Sequence, residues 1–74
     1  MSDTIATLTV PWGRQQIELQ EQSFDGTGVR LLRVRIREGK RFTIFDIDAV
    51  TAHAWAEAMG DWALRQGVLA GHGD

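Results

Sequence analysis

The 74-residue chain contains no cysteine and no tyrosine, and it has a single proline. Without a thiol, the chain can form no disulfide, no thiolate metal site and no cysteine nucleophile. It also has no apolar run near the roughly 20 residues that cross a bilayer, and residues 1–5 lack the basic and apolar regions of a secretory signal. We therefore expect a cytoplasmic protein that has no membrane partner.

A strong excess of charge of one sign is missing as well. Eight basic residues stand against ten acidic ones, for a net charge of −2, which argues against a nucleic-acid binder that works by bulk charge alone. The charges are unevenly distributed, because seven of the eight basic residues precede residue 42. The chain therefore has a mildly basic first part and an acidic second part.

The length predicts one domain over residues 1–74, with 1–4 and 67–74 as flexible termini. A domain of this size buries only about 60% of the surface that its unfolded chain exposes. Without a disulfide, such a core rarely contributes more than about 3–5 kcal/mol of stability. Association with a second copy or with another protein is therefore expected as a further source of stability.

Arginine and aliphatic residues alternate in the segment 29–37, which we call the arginine strand. Successive side chains of a strand point to opposite faces. The pattern therefore predicts one face with Leu32, Val34 and Ile36 in the core and another with a row of arginines. We expect this row and two arginines from flanking segments to form a surface that binds an anion or a partner: Arg14, Arg33, Arg35, Arg37 and Arg41.

Two interpretations of this basic face remain open. In the first, neighbouring hydrogen-bonding side chains help it to hold phosphates or carboxylates; these are Thr7, Thr9, Gln16, Gln20 and Thr43. In the second, the face is solvated and its arginines pair across strands with Glu18 and Glu38. Base stacking on a nucleic acid also needs aromatic side chains, and the only candidates are Phe45, Trp12 and Phe24. The support for nucleic-acid binding is thus weak.

The remaining alternations predict three further strands and the turns between them. A first strand carries Ala6 and Leu8, a second runs over 14–22, and a fourth runs over 41–47 with Phe42 and Ile44 inward. Turn signals separate them at 11–13, at Asp25-Gly26 and at 38–40. We therefore expect an α+β fold, with a four-stranded antiparallel meander followed by one C-terminal helix packed on one face.

The helix begins after Asp48, whose carboxylate suits an N-cap, and ends near Gly67. Apolar residues recur at intervals of three and four and form one stripe that ends in a glutamine: Ala52, Trp55, Met59, Trp62 and Gln66. Trp55 and Trp62 are either core residues that cover the sheet or residues of an interface, since a single helix on a small sheet has difficulty burying both rings.

No residues of the chain combine into a plausible catalytic site, so we expect a protein that is not an enzyme and that has no cofactor. The side chains considered are Ser2, Ser23, His53 and His72. A metal site would have to combine Asp46, Asp48 and His53. However, His53 lies more than one helical turn from Asp48 and about 140° around the helix. No metal site is expected.

The basic strand, the Gly39-Lys40 turn and the apolar junction between strand and helix resemble the transcriptional positive-cofactor family. The resemblance implies four strands followed by one helix, and a helix-mediated dimer that binds single-stranded DNA. It implies no particular binding residue in this chain.

Our leading interpretation is a small non-enzymatic interaction module. It would act through the arginine-bearing face or the tryptophan-bearing helix, and a dimer is one form it could take. The alternatives are a single-stranded nucleic-acid-binding protein and a structural accessory subunit of a larger complex.

Overall fold

The computed structural model describes residues 2–24 and 26–67. Four strands are followed by one helix: β1 (Ser2–Thr9), β2 (Gln16–Phe24), β3 (Val29–Glu38), β4 (Arg41–Ile47) and α1 (Ala49–Arg65). The strands form one antiparallel sheet in the order β1-β2-β3-β4. The predicted α+β meander with a C-terminal helix is therefore confirmed.

The arginine strand is β3, one of the two central strands, and the alternation places its side chains as predicted. Leu19 of β2 and Phe45 of β4 lie opposite Val34 in the hydrogen-bonded register, so these three side chains share one face. We call this the apolar face. The row of arginines occupies the other, which we call the arginine face. Leu32 and Ile36 are only half-buried on the apolar face, so the core is smaller than the pattern suggests.

Strand β4 faces the opposite way from the expectation. Phe42 lies opposite Arg37 and Ile44 opposite Arg35, so both apolar side chains are on the arginine face, whereas Thr43 lies on the apolar face opposite Ile36. The prediction for these residues was wrong by one position. The cause is the two-residue turn at Gly39-Lys40: Glu38 pairs directly with Arg41, and this pairing fixes every later pair.

The first hairpin departs from simple alternation at both ends. A β-bulge between Thr4 and Ala6 shifts the register of β1, and the strand includes residues 2–4, which the sequence analysis assigns to a flexible terminus. The second strand starts at Gln16, because Arg14 lies in the preceding turn with a φ of 59°.

Positive φ values at Gly26 and Gly28 accompany the return from β2 to β3. Asp25 of that turn lies outside the described residues.

The helix has the expected start and end. Asp48 is at the N-cap position with an extended backbone, although its side chain makes no capping hydrogen bond. The pKa of its carboxyl group is nevertheless lowered, first by the Thr51 hydroxyl and then by nearby backbone amides. Gly67 has a φ of 78° and donates its N–H to the carbonyl of Leu64, as in a C-terminal helix stop. No helix in the described residues has the length and apolarity to cross a membrane.

Very little of this chain is buried. Val34 is 2% exposed and is the only buried hydrophobic residue in the described part of the chain. The radius of gyration is 14.8 Å, against about 11 Å for a compact chain of this length. The accessible surface is 6161 Å², against about 4,600 Å² for a compact monomer of this mass. Among the described residues, the helix supplies only part of a second apolar layer.

Replacing Val34 by alanine should lower the free energy of unfolding by about 2 kcal/mol, because two methyl groups leave the best-packed point of the sheet. Val50→Ala is the matched control, since Val50 is 78% exposed at the start of the helix and should change stability by less than about 0.5 kcal/mol. Urea denaturation of both variants measures the difference. Equal losses would mean that Val34 is not the centre of the core.

Candidate interaction surfaces

Arg33 is the most firmly held member of the arginine row. Its Nε donates to Oδ1 of Asp46 at 2.8 Å and its Nη2 donates to Oδ2 at 3.1 Å, so the pair is bidentate. The hydrogen bond from Arg33 lowers the pKa of the Asp46 carboxyl group, and the same contact raises the pKa of Arg33. Two parallel charge-assisted bonds fix the guanidinium in one orientation.

Arg35 in the middle of the row has two neighbours. Its Nη1 lies 3.7 Å from Oε1 of Glu18, and its guanidinium carbon lies 4.8 Å from the centre of the Phe42 ring. Its Nε is buried with no hydrogen-bond partner. The pKa of Glu18 is lowered by hydrogen bonds, first from Gln20 and then from the Thr4 hydroxyl at 3.0 Å, with a further contribution from Arg35. Glu18 is therefore a stable anion beside the arginine row.

Arg37 is exposed, and none of the described residues forms an ion pair or hydrogen bond with it. It lies on the wall of an open cleft of about 170 Å³ on the arginine face. The cleft is lined by Thr7, Gln16, Glu18, Arg35, Arg37 and Phe42. Two cations and one carboxylate leave this cleft with a small positive charge.

Two of the five predicted arginines do not join the row. Arg41 pairs in register with Glu38 on the opposite face of the sheet, and Arg14 lies in the β1–β2 turn rather than in a strand. The turn at Gly39-Lys40 sets the side of Arg41, as it does for Thr43, whose predicted place beside the arginines was also wrong. The other predicted polar neighbours are on the arginine face by register: Thr7, Thr9, Gln16 and Gln20.

Cross-strand pairing neutralises much of the row. The predicted pairing with Glu18 is confirmed, whereas Glu38 lies on the other face and accepts a hydrogen bond from Gln15 at 3.3 Å. Asp46 was missed as the partner of Arg33. Counting outward from the two-residue turn places these two residues opposite each other, so the signal was present in the sequence. A separate pair, Arg30 and Glu21, lies at 3.5 Å on the apolar side of the sheet.

The aromatic side chains are also distributed differently from the expectation. Phe45 lies on the apolar face, whereas Phe24 and Phe42 are exposed on the arginine face. Trp12 lies in the first turn and is 91% exposed. The arginine face therefore carries two accessible aromatic rings, of which only Phe24 was expected.

The helix carries an open apolar surface. Trp55, Ala58, Met59, Trp62 and Ala63 line an open groove of about 490 Å³, which we call the tryptophan groove. The Trp55 ring lies 6.0 Å from the Phe45 ring at an interplanar angle of 38°, so one end of the groove is anchored to the sheet. Trp62 is 60% exposed, and the interpretation of both tryptophans as core residues therefore does not describe the single chain.

The histidine and the acidic residues around the start of the helix are engaged separately. His53 lies 3.6 Å from Glu57 on the exposed side of the helix, Asp46 is held by Arg33, and Asp48 begins the helix. Among residues 2–24 and 26–67, no group of three histidine, aspartate or glutamate side chains could hold a metal ion. His72 lies outside the described residues.

The contact between Arg33 and Asp46 predicts a pH dependence. Because Arg33 depresses the pKa of Asp46 in the folded chain, the pair stabilises the fold above the unfolded pKa of about 3.9, and this contribution is lost as the pH falls through the lower folded pKa. Arg33→Gln should return the Asp46 pKa toward its ordinary value, and Arg65→Gln should not. Carboxyl NMR titration measures both. An unchanged Asp46 pKa in Arg33→Gln would contradict the pairing.

Comparison with known proteins gives a family but no activity. No curated protein and no solved structure matches the chain significantly. The sequence pattern of one family matches residues 2–65, which include all four strands and the whole helix. The chain belongs to DUF6967, a family of unknown function.

Proposed function

We propose that the chain is a small non-enzymatic protein-interaction module that uses the tryptophan groove and works as a dimer. One observation carries the proposal: in the part of the chain that the structure describes, a single hydrophobic residue is buried, while the apolar stripe of helix α1 lies open. A soluble monomer rarely leaves large contiguous apolar patches on its surface. A partner on this groove would complete the second apolar layer, which the helix supplies only in part.

The magnitude of the exposed surface supports this proposal. An aromatic side chain can bury about 150–250 Å², so covering the open part of Trp62 removes on the order of 150 Å² from water. At about 25 cal/mol per Å², the transfer of this one ring out of water is favourable by about 4 kcal/mol, from which the entropic cost of association is subtracted. That is comparable to the whole stability expected of a core this small. Association through the groove would therefore decide whether the fold is populated.

The arginine row and the tryptophan groove differ in how far other side chains of the same chain already neutralise or cover them. Asp46 and Glu18 lie beside two of the three arginines in the row, so most of the positive charge already has a carboxylate nearby. Trp62 and Met59, in contrast, stay 60% and 51% exposed among the described residues. Binding of a partner at the groove is therefore more favourable than binding at the arginine row. We expect the association to depend weakly on salt.

The proposal leaves a structural role within a larger complex as a variant of the same idea, with a different protein on the groove. The cytoplasmic location and the resemblance to the positive-cofactor family stay predictions.

We expect the wild-type chain to sediment as a dimer at micromolar concentration, with a denaturation midpoint that rises with protein concentration. Trp62→Ala should weaken the dimer by at least tenfold, because it removes the more exposed of the two tryptophans of the groove. Trp12→Ala is the matched control and should leave the dimer intact, since Trp12 lies in a turn away from the helix. A monomeric, fully folded wild type at all concentrations would reject the proposal.

A second function is supported by one specific observation, the unpaired Arg37 beside the exposed ring of Phe42. Single-stranded nucleic acids are bound by cationic grooves that also present aromatic rings to the bases. The cleft holds both kinds of group, although Glu18 lies within it. This candidate is an alternative to the interaction module and uses the opposite face of the sheet.

If the arginine face binds single strands, Arg37→Gln should reduce the slope of log affinity against log salt concentration by about 0.7, because one phosphate contact is lost. Arg65→Gln at the end of the helix is the control and should leave the slope unchanged. Fluorescence anisotropy with a mixed-sequence oligonucleotide measures both slopes. Failure to bind at about 50 mM salt, where phosphate contacts are strong, would reject this function.

A further inference from the structure

The apolar face of the sheet has an open region of its own. Leu8, Ile17 and Ile36 lie side by side across β1, β2 and β3 in the hydrogen-bonded register. We call this row the sheet patch. Leu8 is 55% exposed and the two isoleucines are half-buried. The next row along the same face contains Val34 and Phe45, and it is there that the chain's own helix makes contact.

The chain's own helix covers only part of the sheet. Its main packing contacts with the sheet are to β3, and Trp55 reaches Phe45 on β4. Beyond Trp55, the groove continues past Met59 to Trp62, which are about half exposed or more. One chain therefore carries two open apolar surfaces, one on the helix and one on the sheet.

We propose that the occupant of the tryptophan groove is the sheet patch of a second copy. In this arrangement, Met59 and Trp62 of each chain cover Leu8, Ile17 and Ile36 of the other. This inference rests on the proposed function and adds to it the partner and the contact.

Symmetry favours this pairing. In a two-fold dimer, a contact of residue i with residue j is made a second time by residue j with residue i. A helix-to-sheet contact between two different surfaces of one chain is therefore formed twice, and both surfaces of both chains are covered at once. A contact between the two helices alone would cover the grooves and leave both sheet patches open to water.

The available apolar area is close to what a stable dimer needs. The open parts of Trp55, Met59, Trp62 and Leu8 amount to roughly 450 Å² per chain when an aromatic side chain is taken at about 150–250 Å². With their smaller neighbours, two such sets approach the roughly 1,200–2,000 Å² buried in a stable interface. Neither surface is large enough alone.

The absence of native cysteine makes a direct test possible. Leu8→Cys and Met59→Cys chains, one of them carrying a tag that changes its mass, are mixed and equilibrated in a glutathione buffer. We expect the mixed disulfide between position 8 and position 59 to form roughly tenfold more than in the control pair. The control pair is Thr9→Cys and Glu57→Cys, which lie on the arginine face and on the exposed side of the helix.

A dimer formed between the two helices would overturn the inference. A disulfide requires Cα atoms within about 7 Å, so a helix-to-helix dimer gives the disulfide between two Met59→Cys chains instead of the mixed one. That outcome rejects the sheet patch as the occupant and leaves the proposed dimer standing. A mixed disulfide no more abundant than the control rejects it as well.

A second variant covers the case in which the cysteine chains fold poorly. Leu8→Asp should raise the dissociation constant of the dimer at least tenfold, because the new carboxylate would be buried against the partner's helix. Thr9→Asp on the other face of the same strand should change it less than about twofold. Equal dissociation constants for these two variants and the wild type, by sedimentation equilibrium, overturn the inference. A monomeric wild type in the same runs would instead reject the proposed function.

Discussion

The structure depends on one constraint: a single helix of 17 residues lies beside a four-stranded sheet that it covers only in part. Its contacts fall mainly on β3, where Val34 is buried, and the rows of the apolar face on either side remain partly open. A fold with two layers needs apolar surface on both, and here the second layer is incomplete. Because the second layer is incomplete, the tryptophans of the helix and Leu8 of the sheet both remain exposed.

The turn at Gly39-Lys40 has a comparable influence on the polar side. Glycine at the first position has a φ of 61°, the kind of backbone that a two-residue hairpin turn demands. Because this turn is so short, the register of β3 and β4 follows from it, and Asp46 is brought opposite Arg33. A strand shifted by one residue would leave Arg33 without that carboxylate. The same register moves Phe42 beside Arg35, where the ring lies against the guanidinium.

The sequence was sufficient for the element order because each strand and the helix has its own period. The alternation in 29–37 identified the faces of β3, and the recurrence at threes and fours identified α1. The segment 41–47 was harder, since Phe42, Ile44 and Phe45 give apolar residues on both faces and the alternation alone does not choose between them. Turn length decides the matter, and it also identifies the partner of Arg33. The exposure of Trp55 and Trp62 could not be read from helical periodicity, because periodicity says which side chains share a face and not whether another layer covers that face.

Charge repulsion on the arginine face and apolar exposure on the apolar face are therefore relieved in different ways. On the arginine face, the chain supplies Asp46 and Glu18 from neighbouring strands, so repulsion within the row is relieved within one molecule. On the apolar face, water can solvate the exposed rings only at a free-energy cost, and residues 2–24 and 26–67 contain no further element to cover them. Charges can be balanced by a single opposing side chain, whereas an apolar surface must be covered over its whole area. In the proposed dimer that area comes from a second copy, which offers an open helix and an open sheet of matching character.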